Sequence, residues 1–273
     1  MQIKSQTQKI LKTVSLLLLA TLLLAACATV PITGRKSLNL IPASTINSMS
    51  FQEYDTFLKS NKLSNNATQT AMVKRVGGKI QKAVEQYMAA NNLSNILNGY
   101  EWDFNLVEDS QVNAWCMPGG KVVVYTGLLP VAQNEAGLAV VMGHEIAHAI
   151  ANHGNERMTQ GLLVQFGGMA IEKALEQKPQ ETRNLFMTAF GVGTSLGVLL
   201  PYSRMHESEA DHLGLIFMAM AGYDPQTAVN FWERMAASGG GEPMEFLSTH
   251  PSNETRINDI RRLIPEAQGY YKK

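Results

Sequence analysis

Cysteine is almost absent: Cys27 and Cys116 are the only two in 273 residues. Two thiols allow at most one bridge, which excludes a disulfide-stapled scaffold. Net charge is missing as well. Twenty-three basic residues balance 23 acidic ones, and without a clustered basic excess the footprint of a nucleic-acid binder is absent. No period of about 20–50 residues recurs, which excludes solenoids and propellers. Long apolar runs are lacking too. Thr13–Ala26 and Leu185–Leu200 both fall short of the roughly 20 residues a spanning helix needs. The second is interrupted by glycine, threonine and serine, and is expected to be a buried or membrane-grazing helix rather than a bilayer span. What the chain does have is apolar residues, 45% of the total, enough for a sizeable core.

The N-terminus has the form of a targeting segment. Lys4, Lys9 and Lys12 precede the first apolar run, as in a signal peptide. The run ends in "LAAC", Leu24–Cys27, which resembles the bacterial lipobox, where cleavage precedes the cysteine and the new terminus is acylated. Acyl chains of that kind hold a protein at a membrane. Residues 1–26 are therefore expected to be a lipoprotein signal peptide, and Cys27 the lipidation site. Residues 27–43, with two prolines and a glycine, are expected to be a lipid-anchored tether or wrapping segment, and 44–273 a single domain. Ala28 in place of Asp implies sorting to the outer membrane, facing the periplasm. Removing residues 1–26 leaves 20 of the 23 basic residues against 23 acidic ones, a net of −3. Cys116 then remains as a lone thiol and is expected to be a small buried hydrophobe.

The domain itself reads as α+β and mostly helical. A helix is expected from Ser44 or Thr45 to about Lys59, and another through Met72, Val76, Ile80, Val84 and Tyr87, which recur at helical spacing. "EWDFNLVE" (101–108) alternates as a strand does, and "QVNAWCMPGGKVVVYTGLL" supplies an extended piece, a Pro-Gly-Gly turn and a β-branched run. Together these predict a small antiparallel sheet. Beyond Asn134 the pattern predicts helices over about 134–153, 156–177, 181–200, 204–221, 225–237 and 253–263.

The chemistry concentrates in "VVMGHEIAHAIANHG", Val140–Gly154. His144 and His148 are four apart, about 40° around a helix axis, so both imidazoles face one way and can share a zinc ion. Glu145 lies about 100° from His144, placed to reach a water at the metal without ligating it. His153 lies about 140° beyond His148 on a continuous helix and cannot join them. It is expected to be a helix C-terminal residue favoured by the dipole. A third ligand must come from elsewhere, commonly a carboxylate. Glu156, Glu172, Glu176, Glu181, Glu207, Glu209 and Asp211 are available. In "SRMHESEADHLG" (203–214), Glu207 and Asp211 share one face while Glu209 is opposite. This stretch can equally be a solvated helix face, with His206 and His212 as surface histidines. His250, before Pro251, has the bland reading of a turn histidine.

H-E-x-x-H followed about 60 residues later by E-x-x-A-D resembles the gluzincin metallopeptidases grouped with HtpX, BepA and the CAAX prenyl proteases. "NAWCMPGGKVVVYTGLL" (113–129), "YSRMHESEAD" (202–211) and "FLSTHPSNETRI" (246–257) are also similar to stretches of that family. With the lipobox, the likeness is strongest to small LoiP-like outer-membrane lipoproteins. The resemblance implies a zincin-like catalytic domain with its sheet beside the H-E-x-x-H helix. It implies one zinc per chain on His144, His148 and Glu207, with Glu145 as catalytic base, Asp211 behind the ligands, and Arg256 either structural behind them or facing the oxyanion. His250 becomes either a fourth ligand in a resting state or a donor to the oxyanion. Trp115-Cys116 departs from the family's usual smaller residues, which implies an altered substrate groove. An extended substrate is expected along Val122, Val123, Val124 and Tyr125, taken as an edge strand. The family implies endopeptidase action on unfolded or misassembled envelope polypeptides, at a membrane held by the lipid, alongside outer-membrane assembly machinery. Two rivals are a non-hydrolysing, chaperone-like zinc lipoprotein and a protease whose residues 185–200 span the bilayer.

Overall fold

The computed structural model describes residues 27–166, 171–191, 204–238, 246–247, 250 and 254–272. A short hairpin opens it, β1 (Cys27–Thr29) paired antiparallel with β2 (Lys36–Leu38). Two long helices follow, α1 (Ala43–Ser60) and α2 (Ala67–Ala90). The central sheet has three strands: β3 (Asp103–Val107), β4 (Ala114–Met117) and β5 (Lys121–Tyr125). Then come the one-turn helix α3 (Leu129–Ala132), α4 (Glu135–Ile150), α5 (His153–Phe166), α6 (Ile171–Gln177), α7 (Pro179–Ala189), α8 (Arg204–Met220), α9 (Thr227–Ser238) and α10 (Glu254–Gln268).

The class is α+β and mostly helical. The sheet, however, is mixed rather than antiparallel. Its order is β3-β5-β4, with β5 parallel to β3 and antiparallel to β4. The turn at Pro118-Gly119-Gly120 closes the β4–β5 hairpin with φ of 78° and 82° at the two glycines, a region only glycine enters freely. A Cβ on Gly120 would also strike the Trp102 ring. That local turn dictates one antiparallel pair. The β3–β5 pair is non-local, and no local pattern encodes its direction.

Both faces of the sheet are covered, which is why β5 is a continuous apolar run. Cys116, Val122 and Val124 face the core shared with α2, α4 and α8. Trp115, Met117, Val123 and Tyr125 face a second cluster with α1, α5 and α7. Trp115 is fully buried there, edge-on to Phe57 at 4.9 Å. It is a core residue of the face away from α4, and Cys116 beside it is buried in the main core, so neither residue lines an open groove.

Helix α4 crosses α8 where glycine meets glycine. A Cβ on Gly214 would stand 3.0 Å from Gly143 C and His144 N, and one on Gly143 would stand 3.0 Å from Gly214 O. With no side chain on either surface, the two backbones approach closely and bring Glu207 to the level of His144 and His148. Helix α4 also stops earlier than its periodicity predicts. Asn152 takes φ 58°, the left-handed C-terminal conformation that asparagine tolerates, and the chain reverses into α5.

Among the described residues no helix is long and apolar enough to cross a membrane. Of the run Leu185–Leu200, residues 185–189 close α7, and 192–200 lie outside the described residues.

Candidate metal centre

Two helices and one loop residue supply the site. His144, Glu145 and His148 come from α4, Glu207 from α8, and His250 from the segment before α10; all are buried. His144 Nε2 lies 3.0 Å from His148 Nε2 and 3.2 Å from His250 Nδ1. Glu207 places Oε2 3.5 Å from His144 Nε2 and Oε1 3.4 Å from His148 Nε2. His250 Nδ1 is 3.1 and 3.2 Å from the two carboxylate oxygens. These four residues are the candidate metal-binding group among the described residues.

The donor set fits zinc. Ligands at about 2.0–2.1 Å around a tetrahedral ion stand about 3.3–3.4 Å apart, and the separations here run from 3.0 to 3.5 Å. Three imidazole nitrogens and a carboxylate converging at a buried site direct lone pairs at one another, an arrangement that a shared cation relieves. Burial opposes a proton on His144, but Asp211 and Glu207 outweigh it and raise the pKa to about 9. Burial and the neighbouring His144 push His148 well below its ordinary value. For Glu207, His250 and Arg256 outweigh burial and hold the carboxyl far below the usual range.

Glu145 differs from Glu207. Its Oε1 accepts no hydrogen bond from any described residue and sits 3.4 Å from His250 Nε2. Burial raises its pKa above the ordinary glutamate value. A carboxylate of raised pKa beside a metal group, with one oxygen that accepts no hydrogen bond from the described residues, is suited to taking a proton.

Asp211 and Arg256 stand behind the ligands. Asp211 Oδ1 is 3.0 Å from His144 Nδ1, and Arg256 binds both Asp211 oxygens at 2.8 Å. Arg256 also reaches Glu207 Oε2 at 2.9 Å and lies 3.5 Å over the Trp232 ring. His250 is positioned by Phe246, whose carbonyl accepts from the His250 amide at 2.8 Å, while the Phe246 amide donates to Val112 O beside β4.

Four expectations need correction. Val122, Val123, Val124 and Tyr125 are not an edge: β5 is central, and its main chain pairs on both sides. The edge strand beside α4 is β4. His153 is not a helix C-terminal residue. The reversal at Asn152 makes it the first residue of α5, fully buried, with Nδ1 2.8 Å from His148 Nδ1 and Nε2 3.0 Å from Glu209 Oε2. His206 is not a surface residue either; it is buried with Nε2 3.1 Å from Glu156 Oε2. Glu209, on the opposite face of α8 from Glu207, is buried under the N-terminal segment rather than solvated. Sequence reasoning missed this second cluster. Its one local signal was Asn152, a residue type that ends helices in the left-handed conformation.

Peptidase family M48 matches residues 75–264, more than half of the chain. The chain belongs to peptidase family M48. Among the relatives of this M48 chain, the mitochondrial metalloendopeptidase OMA1 of Schizosaccharomyces pombe is 36% identical over 69% of the chain and 53% of its own length. The human mitochondrial metalloendopeptidase OMA1 is 31% identical over 87% of the chain and 46% of its own length. The β-barrel assembly-enhancing protease of Escherichia coli is 30% identical over 58% of the chain and 33% of its own length. The chain thus spans about half the length of the mitochondrial relatives. Their names overturn the expected placement as a periplasm-facing outer-membrane lipoprotein. The family is M48, with both OMA1 and β-barrel-assembly relatives, and the narrower LoiP-like assignment is not supported.

Proposed function

We propose that this chain is a zinc-dependent endopeptidase acting on unfolded or misassembled polypeptides. The observation that carries the proposal is the convergence of His144, His148 and Glu207 with the Glu145 carboxylate beside them, its Oε1 accepting no hydrogen bond from the described residues. The names of the relatives, all endopeptidases or proteases, support it. When bound, zinc supplies Lewis-acid polarisation of a peptide carbonyl and acidifies water. His144, His148 and Glu207 would hold it. Glu145 would remove a proton from the attacking water through Oε1 and return it to the leaving amine. The substrate main chain would pair with the edge strand β4, Ala114–Met117, as an added strand.

In the arrangement described, His250 completes a four-donor set, and a catalytic zinc site keeps one position open. We therefore assign His250 as a fourth ligand of a resting state that must withdraw before hydrolysis. Its 3.1 Å approach to Glu207 favours this over an oxyanion donor. Acylation of Cys27 belongs to the proposal as a modification, with no compartment attached to it. A quality-control role belongs to the proposal; the E. coli relative is named for enhancing β-barrel assembly.

The test combines metal analysis with casein cleavage by wild type and Glu145→Gln. Zinc in both proteins with cleavage only by wild type is expected. Equal cleavage by both would overturn this peptidase assignment, and zinc without any cleavage even in His250→Ala would replace the peptidase with the chaperone-like alternative.

A further inference from the structure

The two histidines on α4 are backed differently. His144 has the carboxylate of Asp211 behind its ring, the common arrangement for a metal-binding histidine. His148 is backed by a second histidine. For His148 to turn the Nε2 lone pair to the cluster, its proton must sit on Nδ1, which lies 2.8 Å from His153 Nδ1. His153 accepts there and carries its own proton on Nε2, 3.0 Å from Glu209 Oε2. The relay therefore ends on a carboxylate.

That carboxylate is held by the N-terminal segment. Arg35 Nε donates to Glu209 Oε2 at 2.8 Å, and the Thr33 hydroxyl donates to Oε1. The rest of the guanidinium is fixed by a two-pronged pair to Glu156, at 3.1 and 2.9 Å. Glu156 in turn holds His206, whose ring stacks on His153 with centroids 4.2 Å apart. The β1–β2 turn that presents Arg35 is closed by Val30 N to Arg35 O at 2.8 Å and Gly34 N to Val30 O at 3.0 Å. Further along, the Leu40 amide donates to Thr159 Oγ1 and Asn155 donates to Ile41 O, so the segment is strapped along α5.

We propose, resting on the zinc-peptidase reading above, that the Thr33–Arg35 turn is a positioning clamp. Through Glu209 and His153 it fixes the ring orientation and tautomer of His148, and so sets the metal affinity of the centre. Thr33, Arg35 and His153 are positioning residues, and none belongs to the four-residue cluster. The segment that follows Cys27 is then a control element: lifting it from Glu209 loosens one ligand and leaves the Asp211–Arg256 support of the other in place.

Chelator-competition measurement of zinc affinity on the full chain tests this. Loss of an outer hydrogen-bonding partner typically weakens metal binding about 10–100-fold, and Arg35→Ala is expected to fall in that range. Arg35→Lys, which keeps a charge beside Glu209, should recover part of the loss. Arg183→Ala, which breaks the remote pair to Glu53, should leave affinity unchanged. In a His153→Leu background Arg35→Ala should cost nothing more, because the relay is already cut. An equal loss with and without His153 overturns the proposal. Wild-type affinity in Arg35→Ala overturns the clamp alone, whereas a wild type that takes up no zinc overturns the peptidase reading with it. If Arg35→Ala does not fold, Thr33→Val decides: weaker zinc binding with unchanged melting of the metal-free protein supports the clamp, and unchanged affinity sinks it.

Discussion

Asp211 does two things at once, and its substitutions separate them. It accepts from His144 at 3.0 Å and engages both nitrogens of the Arg256 fork at 2.8 Å. Asp211→Asn keeps the shape and one acceptor but loses the charge behind the ligand. Zinc affinity is expected to drop about 10–100-fold, with a small change in melting temperature. Asp211→Ala removes two charge-assisted bonds from a buried guanidinium, and breaking a buried pair from one side costs about 3–5 kcal/mol. Urea denaturation of the metal-free proteins should therefore separate the two variants by a wide margin. Matching midpoints would mean that Arg256 draws its support from Glu207 and Trp232 instead.

The α4–α8 crossing is where an element-scale effect overrides a residue-scale preference. Gly to Ala inside a helix ordinarily gains about 0.5–1 kcal/mol. At Gly214 the new Cβ would press on the backbone of Gly143 and His144 at 3.0 Å, and overpacking of this kind costs about 1–3 kcal/mol. Gly214→Ala is expected to lower the urea midpoint and weaken zinc binding, because α8 carries Glu207 away from α4. Gly78→Ala in α2, with open space around its Cβ, is expected to raise the midpoint. The same sign for both would show that the helices adjust freely. Helices with strong periodicity were legible: the sequence placed α1, α4, α8 and α9 within a few residues, while α10 runs five residues past its expected end. The triple-valine run also held a cue to the central position of β5, since a strand buried on both faces reads as continuous rather than alternating. Strand order and the β3–β5 direction were not legible, because pairing across distant segments leaves no local pattern. Nor was the His153 cluster. A one-residue change of backbone conformation at Asn152 moved that histidine from the far side of a helix to the back of His148.

At the scale of the whole molecule, the two ends of the domain converge on α4: α10 supplies Arg256 behind His144, and the N-terminal strap supplies Arg35 toward His148. The strap depends on two carboxylates. Burial works against the charge on Glu156 and Glu209, but hydrogen bonds outweigh it, chiefly from His206 and Arg35 to Glu156 and from His153, Thr33 and Arg35 to Glu209. Both carboxyls are held down to about 2, against an ordinary value of 4.5. A depressed folded-state pKa gives stability that is fully present above the ordinary value and is lost as pH falls through the folded one. The strap should therefore loosen between about pH 4.5 and 2, whereas α2 packs on the apolar core with no buried carboxylate of its own. Amide exchange of residues 30–41 followed across that window should accelerate before exchange in α2 does. Glu156→Gln should show faster strap exchange already at pH 7 and a weaker dependence on acid. Simultaneous acceleration of strap and α2 would mean that acid unfolds the domain as one unit, with no separate release of the N-terminal segment.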